Sequence, residues 1–323
     1  MRVGLDMSPL QQTRAGTARY VRALVTHAPV DYVRLSFGGP GRVQAAVRDA
    51  LWYPLLLPMM ATRSDVLHCP TFRGPARAKV PMVVTVHDLA VLRHPETFNR
   101  WTRIYSRVAV PGVARAAARL IAVSEFTKRE AVELLGVGDE KIDVVPNGVG
   151  EVFTEDGPAA PGEYVLAVGT LEPRKNLVRL AQATRSLGVE LCVAGTPGWG
   201  HVPIARTGVR LLGEVEDDEL ASLYRGASCF AYPSLYEGFG IPILEAMRCG
   251  TPVVTSAGGG TEETAGGAAV LVDPLEPESI AAGIEEATAR REELRRLGAE
   301  RARGFDWAAT AHSTAAVYHE AAA

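Results

Sequence analysis

Short apolar runs alternate with longer helical patterns from one end of the chain to the other, and this rhythm restricts the fold more than any other feature. The runs are RVGLDM, VRLSF, DVLHC, MVVTVHD, LIAVS and IDVVP, then YVLAVG, ELCVAG, VRLLG, CFAYPS, PVVTS and AVLVD. Strands that are apolar almost throughout are covered by helices on both faces, so the pattern predicts parallel sheets whose crossovers are the intervening helices. Six runs lie on each side of a polar break at residues 151–163 (EVFTEDGPAAPGE), where Gly157, Pro158, Pro161 and Gly162 mark a linker. The expectation is an α/β chain of two Rossmann-like domains, which suits its 323 residues. Open parallel sheets bind ligands beyond the carboxyl ends of their strands, so two sheets facing a central cleft would place the site there.

Residues 1–157 carry 20 Lys/Arg against 15 Asp/Glu and the remainder 14 against 22, within an overall formal charge of −3. A basic first half suits an anionic acceptor or membrane surface, although a solvated face gives the same imbalance; no nucleic-acid partner is expected. Cys69, Cys192, Cys229 and Cys249 form no CxxC pair, and the start MRVGLDMSPL reads as a strand rather than a signal peptide. These features fit a reducing cytoplasm, with the inner face of the membrane as a peripheral location. Ala50 to Ala61 (ALWYPLLLPMMA) is too short to span a bilayer and is interrupted by Pro54 and Pro58. It reads as a buried helix and turn, or else as a patch that touches membrane or a lipid-linked acceptor.

After YVLAVG, Arg174 and Lys175 (TLEPRKN) stand where a loop turns into a helix. A planar fork beside a mobile point charge matches a diphosphate; a solvated basic turn is the plainer reading. After CFAYPS comes LYEGFGIPILEAM, in which Pro242 marks a helix start and Gly238 and Gly240 leave backbone N–H groups free to approach an anion. Glu245, read as lying in the first turn, could accept from a pair of ribose hydroxyls or could simply complement the helix dipole. Glu237, between an aromatic and a Gly-Phe-Gly turn, does nothing evident for packing. His87 and His68 stand at strand ends. Asp217 and Asp218 in EVEDDEL come nearest to a metal signature and read instead as an N-terminal helix cap.

Glu237 and Glu245, with seven residues between, resemble the two-glutamate motif of the retaining glycosyltransferases numbered family four, which have the GT-B fold. PSLYEGFGIPILEAMRCGTPVVTS, GTLEPRKN, TVHDL, AVSEFTKRE, VVPNGV and FDWAATAHSTAAVYHEA occur in the family's order, so the resemblance covers almost the whole chain. It implies an acceptor domain over residues 1–157, a nucleotide-sugar donor domain over 158–305, and a helix at 306–323 that crosses back. It also implies that Arg174 and Lys175 hold the diphosphate, Glu245 the ribose and Glu237 the donor sugar. The backbone at Phe239 and Gly240 would meet the sugar and distal phosphate, Gly213 to Val215 the base, and His87 the sugar. Gly16 resembles the family's glycine loop, with Ala15 where many members carry a second glycine. After PVVTS, where relatives often have a Leu-Pro-Glu turn, this chain has Gly258 to Glu263 (GGGTEE).

The implied reaction is front-face substitution through an oxocarbenium-like state in which the leaving phosphate takes the acceptor's proton. A glycosidase-like double displacement would instead need a free carboxylate about 5 Å from its partner. Arg174, Lys175 and the helix dipole would stabilise the leaving diphosphate, so neither a metal nor another cofactor is expected. GTLEPRKN is similar to bacterial mannosyltransferases of polysaccharide assembly, which puts GDP-mannose first as donor and a UDP-sugar second. The acceptor would be a glycan, a lipid-linked saccharide or a small molecule. An NAD-dependent dehydrogenase shares the strand rhythm, but GGPGRV at Gly38 to Val43 lacks the full GxGxxG spacing and an acidic ribose ligand, and reads as a turn. A non-catalytic nucleotide-sugar-binding protein would keep Arg174, Lys175 and Glu245, whereas Glu237 and His87 argue for catalysis.

Overall fold

A computed structural model describes residues 1–12, 16–39, 41–98, 100–198, 202–204 and 207–323. The chain forms two compact units, one of residues 1–95, 99–148 and 306–323, the other of residues 96–98 and 149–305. The change at 148/149 comes ahead of the expected boundary at 157/158. The intervening segment is held within the second unit: Arg225 Nη1 donates to the Thr154 carbonyl at 3.1 Å, and Arg295 pairs with Glu155 at 2.8 Å.

In the first unit the strands are β1 (Arg2–Asp6), β2 (Asp31–Leu35), β3 (Val66–Cys69), β4 (Met82–Val86), β5 (Arg119–Ala122) and β6 (Ile142–Val144), in the order β2-β1-β3-β4-β5-β6. In the second they are β7 (Tyr164–Val168), β8 (Glu190–Ala194), β9 (Val209–Gly213), β10 (Cys229–Tyr232), β11 (Val253–Ser256) and β12 (Val270–Val272), in the order β12-β11-β10-β7-β8-β9. Every ladder is parallel. Central strands such as MVVTV and CFAY are buried at every position, as helices on both faces require. Strand order reverses between β1 and β3 and again between β7 and β10. At such switch points the loops diverge to opposite faces and leave a crevice beyond the strand ends.

The helix Trp307–Ala322 returns to the first unit, where it packs on the helix Gly16–His27 and buries Ala311, Ala315, Val317 and Tyr318. Asp306 caps it, its carboxylate accepting from the Ala309 N–H at 2.7 Å. Gly148 admits this return, because a Cβ there would stand 2.3 Å from the Trp307 nitrogen.

Three sequence expectations change. The run Ala50 to Ala61 falls in a π-helical stretch, Arg48–Leu56, that continues as the helix Leu57–Met60. It buries Trp52, Tyr53, Leu57 and Ala61 but exposes Leu51, Leu55, Leu56, Met59 and Met60, so it is not buried as a whole. Asp217 and Asp218 do not cap the helix Asp217–Gly226; Glu216 occupies the cap position, and both aspartates lie in the first turn, where they complement the dipole. Gly38 to Val43 is not simply a turn, since Gly41 leads into the helix Arg42–Val47; Pro40 lies outside the described residues.

Candidate active site

Gly169 follows β7 at φ +142°, and an added Cβ there would stand 3.1 Å from Lys175 Cε. Glycine therefore lets the Lys175 side chain lie across the strand end. Pro173–Lys175 forms a 3-10 turn closed by Asn176 in the left-handed region at φ 59°. That conformation is uncommon outside glycine and is held here by the Asn176 side chain. Its Nδ2 donates to the carbonyls of Pro233 at 3.0 Å and Pro274 at 2.6 Å, while the Leu235 N–H donates to the Arg174 carbonyl at 2.8 Å. The turn after β7 is thereby tied to the loop after β10.

Across that switch point, Lys175 Nζ lies 2.6 Å from Glu237 Oε1, and Arg174 Nη1 lies 2.7 Å from Glu237 Oε2. Arg174 also donates to the Tyr236 carbonyl at 3.0 Å and pairs through Nη2 with Glu172 at 2.7 Å. Lys175 donates to the Tyr232 hydroxyl, which donates to Glu237 Oε1 at 3.0 Å, and Nζ stands 4.6 Å from the Tyr232 ring centre. None of the four charged side chains is more than 13% exposed. Burial raises the Glu237 pKa, but Arg174 and Lys175 outweigh it and hold the carboxyl at about 2; burial also lowers Lys175, against the pull of Glu237. Glu237 is therefore an ionised acceptor that cannot serve as an acid, and with both oxygens engaged it is a weak nucleophile. Sequence reasoning missed Tyr232, Glu172 and Asn176. The only signal was position, at or just after the ends of β7 and β10.

The helix Ile241–Arg248 follows, entered through Gly240 at φ +106°. Glu245 is its fifth residue, in the second turn rather than the first, which removes the dipole explanation. It is 1% exposed and accepts from the Tyr224 hydroxyl at 3.1 Å. The Phe239 carbonyl accepts from Thr264 Oγ1 at 2.8 Å. Gly258 to Glu263 is not a loop: the helix Gly259–Ala265 begins there, and a Cβ on Gly260 would stand 2.4 Å from the Gly238 carbonyl oxygen. Val215, half-buried, follows β9.

His87 and Gly16 belong to the first unit. His87 Nε2 donates to the Pro70 carbonyl at 3.0 Å, and its ring meets that of Tyr20 edge-on at 5.0 Å. Burial lowers its pKa, so the ring is neutral near pH 7 with its proton on Nε2. His68 is fully buried, with Nδ1 2.7 Å from the Tyr318 hydroxyl and Nε2 2.9 Å from Thr85 Oγ1, and burial pushes its pKa down to about 3. It is a core residue. Gly16 is the first residue of a helix rather than part of a loop; Thr13, Arg14 and Ala15 lie outside the described residues.

The family model "Glycosyl transferases group 1" matches residues 152–304 and "Glycosyltransferase Family 4" matches residues 14–151. The chain is 32% identical to O-antigen chain mannosyltransferase B of Escherichia coli, over 75% of this chain and 71% of that one. It is 30% identical to the D-inositol 3-phosphate glycosyltransferase of Mycolicibacterium smegmatis, over 98% of this chain and 74% of that one. Among solved structures, Anabaena HepE in complex with UDP and glucose is similar at a TM-score of 0.75 and 19% identity, covering 99% of this chain and 100% of that one. Two six-stranded parallel sheets with these relatives define a GT-B fold, and the chain belongs to the family 4, group 1 glycosyltransferases, enzymes that transfer a sugar.

Proposed function

We propose that the chain transfers a hexose from a nucleoside diphosphate sugar to a glycan, lipid-linked or small-molecule acceptor, with retention at the anomeric carbon and without a divalent metal. Mannose from GDP-mannose is the favoured donor. The observation that carries this reading is the bridge across the β7/β10 switch point, where two buried cations converge on Glu237. Arg174 and Lys175 would stabilise the departing diphosphate, assisted by the N-terminus of Ile241–Arg248 and the backbone at Phe239 and Gly240. Glu237 would accept from sugar hydroxyls, Glu245 from the ribose, Val215 would border the base, and Gly16 and His87 would be further donor contacts. A carboxylate held at about pKa 2 and bound by two cations is poorly suited to attack carbon, which favours front-face substitution over a covalent glycosyl-enzyme.

The mannosyltransferase relative supports mannose; the UDP and glucose of the HepE structure keep a UDP-glucose donor as the second reading. The test is donor consumption over a panel of nucleotide sugars, with and without EDTA, and with the product anomer assigned by NMR. GDP-mannose should be consumed, EDTA should leave the rate unchanged, and the product should be the α-anomer. Consumption of UDP-sugars alone, an inverted product, or a rate abolished by chelation and restored by Mg²⁺ would each overturn the matching part of the proposal.

A further inference from the structure

Among the described residues, twelve large hydrophobic side chains are exposed, and eight of them lie on two helical segments of the first unit. Leu51, Leu55, Leu56, Met59 and Met60 come from residues 48–60; Trp101, Ile104 and Val108 come from the helix Arg100–Ala116. In that helix the exposed residues are spaced by three and four, so they form one stripe, while Val110, Val113 and Ala114 face the core. The two segments meet where Trp101 Nε1 donates to Asp49 Oδ2 at 3.3 Å.

The helix carries Arg100, Arg103, Arg107 and Arg115 and no acidic residue. Arg100, Arg103 and Arg107 line a groove of about 450 Å³ whose apolar wall includes Val91, Leu92 and Ile104. An apolar stripe bordered by arginines has the chemistry of a surface that lies in the headgroup boundary of an anionic bilayer, with its cations at the phosphates and its apolar side chains among the first methylenes. A protein partner would not require cations along the whole stripe. Among the described residues no helix is long and apolar enough to cross a membrane, so attachment here would be peripheral.

The geometry points to this face, Arg100–Ala116 together with residues 51–60, as the docking surface of the enzyme on an anionic lipid bilayer. It goes beyond the proposed reaction and does not depend on it. The test is cosedimentation of the full chain with vesicles of phosphatidylcholine alone and of phosphatidylcholine with phosphatidylglycerol. Binding should need phosphatidylglycerol and fall with added salt. Arg100→Gln, Arg103→Gln and Arg107→Gln together should weaken it roughly a hundredfold. Ile104→Ser with Val108→Ser should weaken it about tenfold, because both side chains are exposed and the core is untouched. A blue shift of tryptophan emission on binding should disappear in Trp101→Phe, and Leu275→Ser, exposed in the second unit, should bind as the parent does. Equal binding to both vesicles, or none, would overturn the proposal. So would self-association lost in Ile104→Ser with Val108→Ser, which assigns the face to a second copy. Turnover on a water-soluble acceptor should survive in every variant; a parallel loss of turnover and binding would overturn the proposal by assigning these arginines to substrate instead of lipid.

Discussion

Glu237 occupies both cations that the proposed leaving group needs, so an incoming diphosphate must compete with a carboxylate already in place. Glu237→Gln keeps the size of the side chain and removes the competing charge. Nucleoside diphosphate affinity should therefore rise severalfold, while kcat falls about 100-fold as the sugar loses its acceptor. Calorimetry with GDP and steady-state turnover separate the two effects; an equal loss of both would reduce Glu237 to a support for Arg174 and Lys175. Arg174, Lys175 and Glu237 were legible as charged groups because each follows a strand in a loop. Their pairing was not, since it exists only because β10 lies beside β7. Tyr232 was invisible for another reason, being the last residue of a strand whose alternation gives no sign that its hydroxyl reaches a carboxylate.

At the scale of elements, the twelve strands of the described residues were readable because each carries a short apolar run, even the largely exposed edge strands β2 and β9, but their order was not, since strand composition is blind to the side on which a crossover packs. Exposure misled in the same way: a run such as LLLPMM announces apolarity and says nothing about whether a partner covers it. One close approach between elements can be tested directly. A methyl group on Gly260 would press on the carbonyls of Gly238 at 2.4 Å and Glu237 at 2.7 Å, so Gly260→Ala must displace the loop that carries Glu237. The variant should keep its circular dichroism spectrum and lose at least tenfold in kcat/KM, with a stability cost of about 1–3 kcal/mol. Gly112→Ala provides the contrast, with nothing near its added methyl group and a helical setting, and should gain up to about 1 kcal/mol. Unimpaired turnover in Gly260→Ala would mean that the loop yields without consequence.

For the molecule as a whole, separate cores allow each unit its own response to acid. Burial moves His68 from 6.5 to about 3, so between those values the unfolded chain takes a proton that the folded first unit refuses, and stability falls as pH drops through that window. His87, also lowered by burial, adds to the loss below 6.5. Asp6 acts in the opposite direction: burial raises its pKa, so the folded state takes up that proton at a higher pH than the unfolded chain does. His68 alone gives a slope approaching about 1.4 kcal/mol per pH unit where the unfolded chain's histidine is protonated and the folded one is still neutral. In the second unit the named charge is Glu237, whose pKa falls from 4.5 to about 2; its stabilisation is complete above 4.5 and is lost only below that. Calorimetry between pH 7.5 and 5 should therefore show one transition moving down while the other stays, and His68→Gln should reduce the movement. Two transitions that move together would show that the units unfold as one and that the histidines do not set the acid response of the first.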